Sequence, residues 1–321
     1  MNPFFRSSAR VAIAAALLAL AWAMPAAAGD ENLDELLEQV GQGYAEGYLA
    51  PLIHGFGINQ NTGLYHTAKI PKTRLFFTFG LKAMASKIGE DDKTFRVVET
   101  VDLSDFVDPG DPGYGETGQL VFEGPTVFGD ESETGTATVY YHGIPVFTQE
   151  GVTSLVDMDY VLLATPELTV GGIAGLQATL RWLPSMSMGD MGDLSYMGFG
   201  AAYGVSNLMP TLPFDTSVGM FFQNLDIGES LKTSASSFYV AVSKSFTVAT
   251  LYAGAAKESS SMEVNYTFIG DDQNTDINFK VDGLQGGRGT IGATLDLGVM
   301  LNAEIGFGKL TTYSAGLLFG I

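Results

Sequence analysis

Seven charged residues, Arg74, Lys82, Arg181, Asp215, Arg288, Asp296 and Glu304, stand at alternate positions among small and apolar neighbours. Alternation by two places them on one face of extended segments whose other face is greasy. Charges on an enclosed face must be paired or hydrated. Two chemistries fit: an ion-pair network that fills an interior, or a wet lining that sorts solutes. A second set is histidine: His54, His66 and His142. A barrel hydrolase or acyltransferase would need such a base beside a nucleophilic serine, oriented by a third group. No G-x-S-x-G occurs, and His54 and His66 lie in a stretch without period. No catalytic residue is therefore assigned, and the chain is read as not an enzyme. A third set is the acidic run Asp102, Asp105, Asp108, Asp111 and Glu116. Calcium takes six to eight oxygen ligands, but this spacing is not an EF-hand loop, so the run reads as solvated. No metal site and no cofactor is expected.

The elements that would position these residues are strands. The last residues alternate: Tyr313, Ala315, Leu317, Phe319 and Ile321 on one face, Thr312, Ser314, Gly316, Leu318 and Gly320 on the other. Ser314, Gly316, Phe319 and Ile321 form a C-terminal pattern that resembles the membrane-insertion signal of outer-membrane β-barrels, so the barrel insertion machinery is an expected partner. At the other end, Arg6 and Arg10 precede an apolar run from Val11 to Met24 and an A-x-A site at Ala26-Ala27-Ala28. Residues 1–28 read as a cleavable secretory signal peptide. No later run reaches 18 uninterrupted apolar residues, so helical spans are not expected. Forty glycines, no cysteine and a net charge of −20 complete the composition. Glycine suits tight turns and crowded interiors, and the charge excludes nucleic acid as an attracted partner.

The expected organisation is a signal peptide (1–28), an N-terminal helix and plug-like segment (29–72) and an outer-membrane β-barrel (73–321). Leu33, Leu36, Leu37 and Val40 predict a helix over 31–40, while 44–72 has no clear period. Alternation marks strands at 73–85, 168–182, 194–206, 214–224, 234–245, 247–257, 287–297, 299–308 and 311–321. A run at 95–103 joins them, with Glu99 on its greasy face. The segments 262–269 and 276–283 read as a hairpin extending beyond the membrane. Parity puts short, nearly uncharged connections on one side and longer acidic ones on the other, the asymmetry of outer-membrane barrels. Residues 104–166 fit least well. Parity places both their ends on the side of the C-terminus, and they supply either one more hairpin or a lumenal fold. The fold class is all-β, an antiparallel transmembrane β-barrel of about 12 strands, within 10–14.

Several segments together resemble a family of uncharacterised bacterial outer-membrane proteins of this length. They are Tyr48-Leu49-Ala50-Pro51-Leu52, Asn61-Thr62-Gly63-Leu64-Tyr65-His66-Thr67-Ala68, Pro125-Thr126-Val127-Phe128-Gly129, Val170 to Gly175 with Arg181-Trp182-Leu183-Pro184, and Met197-Gly198-Phe199-Gly200 with Pro210-Thr211-Leu212-Pro213. The resemblance covers most of 30–321 and implies a Gram-negative outer-membrane barrel without assigned functional residues. A more distant similarity, of architecture only, is to the long-chain fatty-acid channels. The expected function is a passive channel for small or hydrophobic solutes, in contact with outer-membrane lipid and lipopolysaccharide. The alternatives are a structural or surface-interaction barrel with a closed lumen, and a barrel enzyme acting on lipid.

Overall fold

The computed structural model describes residues 41–187, 192–209, 211–269 and 274–320. The signal peptide, the helix at 31–40 and Ile321 lie outside the described residues. The chain order is helix α1 (Gln42–Gln60), β1 (Phe76–Lys87), β2 (Thr94–Asp102), β3 (Thr117–Pro125), β4 (Thr134–Tyr141) and β5 (Ile144–Thr153). Then follow β6 (Tyr160–Ile173), β7 (Leu176–Ser187), β8 (Asp193–Gly204), β9 (Asp215–Ile227) and β10 (Leu231–Ser245). The chain closes with β11 (Ala249–Ile269), β12 (Asn274–Asp282), β13 (Gly286–Asp296), β14 (Met300–Phe307) and β15 (Thr311–Gly320).

Ten strands form a closed antiparallel barrel. Each of β6 to β11 pairs with the next, β11 pairs with β13, and β13, β14 and β15 continue the wall. The seam is β1, where Leu81 lies opposite Leu317 of β15 and opposite Pro166 of β6. β12 is an eleventh strand. It pairs with the far part of β11, Ser261 to Ile269, beyond the stretch that β13 covers. This is the hairpin expected at 262–269 and 276–283.

The connections 174–175, 246–248 and 297–299 gather at one end with the start of β1 and the finish of β15. We call this the short-turn end. The 168–182 segment, read above as one strand, is two, folded at Ala174 and Gly175. Two turn residues keep the alternation in phase, so Leu168 and Val170 before the turn share the outward parity of Leu176 and Leu180 after it. Periodicity cannot detect such a turn; only the glycines at 171, 172 and 175 mark it. Gly172 has φ 97° and Gly175 φ 77°, conformations that favour glycine.

The other correction concerns β2 and residues 104–166. β1 and β6 are neighbours in the wall, and the chain between them leaves the barrel altogether. Strands β2, β3, β4 and β5 form a separate four-stranded sheet in that order. It sits at the end opposite the C-terminus, because Lys87 ends β1 there and Tyr160 opens β6 there. The misfit of Glu99 was the sign: its carboxylate reaches over α1, where a Cβ on Gly43 would meet it at 2.3 Å.

Inside and outside exchange character along single strands. Towards the short turns, β10 points Phe238, Val240 and Val242 outward and Tyr239, Ala241 and Ser243 inward. Towards the appended sheet it points Lys232 and Ser234 outward and buries Leu231 and Ala235. β11 repeats this, with Leu251 outside and Tyr252 inside, then Glu263 outside and Met262 and Val264 inside. An apolar belt thus girdles only the part nearer the short turns, as a bilayer requires. The rest is a water-facing collar with a greasy interior.

Candidate functional site: the occupied lumen

α1 lies in the collar and is buried on all sides. Tyr44, Tyr48, Leu49, Leu52, Ile53 and Phe56 pack against Met84, Val161, Leu163, Leu225, Met262 and Val264. Each such large side chain contributes about 1.5–3 kcal/mol by leaving water. A helix apolar all round carries no stripe, which is why 44–72 has no period. Backbone approach is allowed by glycine: a Cβ on Gly47 would sit 2.2 Å from the ring of Phe95 in β2. Tyr44 and Tyr48 donate their hydroxyls to the carbonyls of Val152 and Thr153 in β5, tying the helix to the appended sheet.

Below the helix the chain runs on as residues 61–70 through the polar half of the lumen. Arg181 is fully buried. Its Nε donates to Glu167 Oε2 at 2.9 Å, its Nη1 to the carbonyl of Thr62 at 2.9 Å, and its Nη2 to the carbonyl of Gly63. Arg288 pairs with Glu258 at 2.6 Å and donates to the Thr62 hydroxyl and the Asn61 carbonyl. Glu304 accepts from the Gly63 N–H at 3.1 Å. Lys82, also fully buried, donates to Asn302 Oδ1 at 3.0 Å. Gln223 donates to Asn61 Oδ1 at 3.1 Å and accepts from the Tyr196 hydroxyl. Two guanidinium forks therefore clamp the backbone of Asn61-Thr62-Gly63, with geometry that a point charge could not match.

The clamp is continued downward by packing. Tyr65 rests against Tyr239 and Tyr252, ring centroids 4.9 and 5.6 Å away, and its hydroxyl bonds Thr290. Thr294 donates to the His66 carbonyl, Ser243 accepts from Ala68 N–H, and Asn207 donates to the Ile70 carbonyl near the short-turn end.

Of the seven charges singled out from the sequence, four converge here: Lys82, Arg181, Arg288 and Glu304. Three do not. Arg74 is exposed ahead of β1, Asp215 is half-buried at the first position of β9, and Asp296 is exposed, accepting the Gly298 N–H in a hairpin turn. All three fall at the short-turn rim, where inward parity no longer means enclosure. Two partners were missed, Glu167 and Glu258. Each stands one residue outside the runs read as strands, 168–182 and 247–257, and strand pairing extends to cover both. With them the buried charges balance, three basic (Lys82, Arg181, Arg288) against three acidic (Glu167, Glu258, Glu304). In the C-terminal pattern, Ser314 and Gly316 face this cluster: Ser314 Oγ is 3.1 Å from where a Gly63 Cβ would lie, and Gly316 abuts Lys82. Phe319 is half-buried. His54 is half-buried in α1, and His142 is exposed in the β4–β5 turn. None of the three histidines bonds a serine hydroxyl through its ring among the described residues.

Comparison with solved structures finds outer-membrane proteins at low identity. The loop L8 deletion mutant of Vibrio cholerae OmpT is 14% identical over 77% of this chain and 99% of that one, with a TM-score of 0.25. Salmonella typhi OmpF in complex with daunomycin is 10% identical over 78% and 98%, with a TM-score of 0.19. The barrel rests on this chain's own strand pairing rather than on that likeness. No curated protein matches the chain. A family described as a family of unknown function, DUF6588, matches residues 8–321, and the chain belongs to it.

Proposed function

We propose that the protein is an outer-membrane barrel, closed in the state described, which holds its four-stranded sheet at the cell surface. The apolar belt supports the membrane, with lipid as its surround, and the finish of β15 at the short-turn end supports the orientation. One observation carries the closed lumen: Arg181 and Arg288 direct donors at the plug's own carbonyls of Asn61, Thr62 and Gly63 and at the Thr62 hydroxyl. A lining built to sort ions would leave net charge facing water; here the buried charges cancel. Export by a signal peptide over 1–28, insertion through the C-terminal strand and the absence of a catalytic role belong to the same reading.

The second reading is passive transport of small solutes after the plug moves. It is favoured by the plug's attachment: residues 61–70 are held by side chains and make no ladder with the wall, so they can leave without opening the barrel. Planar-bilayer recordings separate the two. A silent wild-type chain, with conductance appearing in a chain deleted for 42–72 and carrying the signal peptide, supports the closed barrel. Steady conductance of the wild type supports the channel and overturns the first reading.

A further inference from the structure

The appended sheet carries the chain's most uneven charge. Between Glu90 and Asp159 lie 16 of its 36 acidic residues, against Lys93 and Arg96 as the only lysine or arginine. Both bases are already paired, Lys93 with Asp157 and Asp159, Arg96 with Glu123.

In the same sheet β5 is an edge. One side pairs with β4, and the other pairs with no strand among the described residues. Near its end, Val152 and Thr153 bond the hydroxyls of Tyr44 and Tyr48. Edges are usually blunted by lysine, by bulges or by a covering element. From Ile144 to Gly151 there is no lysine; Pro145 and a register shift beside Val146 interrupt only the start of the edge, Tyr44 covers Gly151, and Phe147 to Glu150 between them are exposed. Beside the edge, a cavity of about 450 Å³ is lined by Asp105, Phe106, Asp108, Asp111, Tyr114 and Val146 of β5. Phe106 packs on Phe147 of β5 at 5.7 Å, so the aromatic wall is continuous with the strand.

We propose that the open edge of β5 docks an extended basic segment of a partner protein, which joins the sheet as a fifth strand. Backbone hydrogen bonds supply the register, and the acid-and-aromatic cavity takes a lysine or arginine side chain of the added strand. A second copy of this chain is disfavoured as the occupant, since it would bring the same negative charge to the same edge. The proposal is independent of whether the lumen conducts.

The test uses the full chain in non-ionic detergent micelles and fluorescent decapeptides, read by anisotropy at about 0.15 M salt, an ionic strength at which distant surface attraction is screened. An alternating Lys-Val peptide should bind saturably at one site, and an alternating Glu-Val peptide should not. N-methylation of one set of alternate residues should weaken binding at least tenfold, and of the other set hardly at all, because only one set faces the edge. The triple variant Asp105→Asn, Asp108→Asn, Asp111→Asn, confined to an exposed loop, should bind at least fivefold more weakly. Equal binding of both methylated peptides and the parent would reduce the effect to charge adsorption and overturn the proposal. Absence of saturable Lys-Val binding would overturn it as well.

Discussion

The half of the lumen beneath the appended sheet and the half nearer the short turns are filled by one continuous segment, yet by opposite chemistry. Above, α1 satisfies its own backbone and offers the wall mainly apolar surface, with polar contacts at Gly55 and Asn59. Below, residues 61–70 have no helix to satisfy them, so the wall must supply partners, and it does so with two arginines, the Glu304 carboxylate and a row of hydroxyls. The difference follows from what surrounds each half. The collar stands in water, so its wall can be polar outside and greasy inside. The belt must be greasy outside, and period-two alternation then leaves small and polar residues within. The plug changes from helix to coil where the wall changes character.

The comparison separates two kinds of lesion. Arg181→Ala should give the largest effect, about 3–5 kcal/mol, because Glu167 is left buried without its partner. It should also leak: bilayer conductance should rise while α1 stays protected from protease. Phe56→Ala in the upper half should cost about 3–5 kcal/mol through lost burial and a cavity. It should lower the temperature of heat modification on gels yet leave the membrane tight, since the seal lies below. A leak in this variant, or none in Arg181→Ala, would erase the distinction.

The smallest effect is expected at the contact with the sheet. Gly47→Ala should cost about 1–3 kcal/mol by forcing Phe95 aside, and proteolysis of the 103–116 loop should read it, with conductance unchanged.

The belt was legible in the sequence because lipid demands strict alternation; Phe77, Phe79, Met197 and Phe199 announce it. The inward charges Lys82, Arg181, Arg288 and Glu304 were legible by the same parity. α1 was not, because a helix buried on every side has no face to betray it. The excursion through β2 to β5 was hidden for a related reason. A strand such as Thr94–Asp102 alternates whether it borders lipid or another sheet, and only Glu99 disagreed. The identity of the clamped backbone at Asn61-Thr62-Gly63 could not be read at all, since carbonyls leave no mark in a sequence.

The plug also has a direction. Gly41 lies under the appended sheet, whereas Phe76 opens β1 at the far end, so the segment traverses the whole lumen before the wall begins. The seam of the wall joins β1 to β15, residues separated by most of the chain, and such distant pairings form late. Were that seam to close on an empty barrel, Tyr44, Tyr48 and Phe56 would have to be drawn through a finished cylinder from the short-turn end. A wall that curled around a segment already in place would avoid that passage, and such a barrel would be filled from the moment its seam closed.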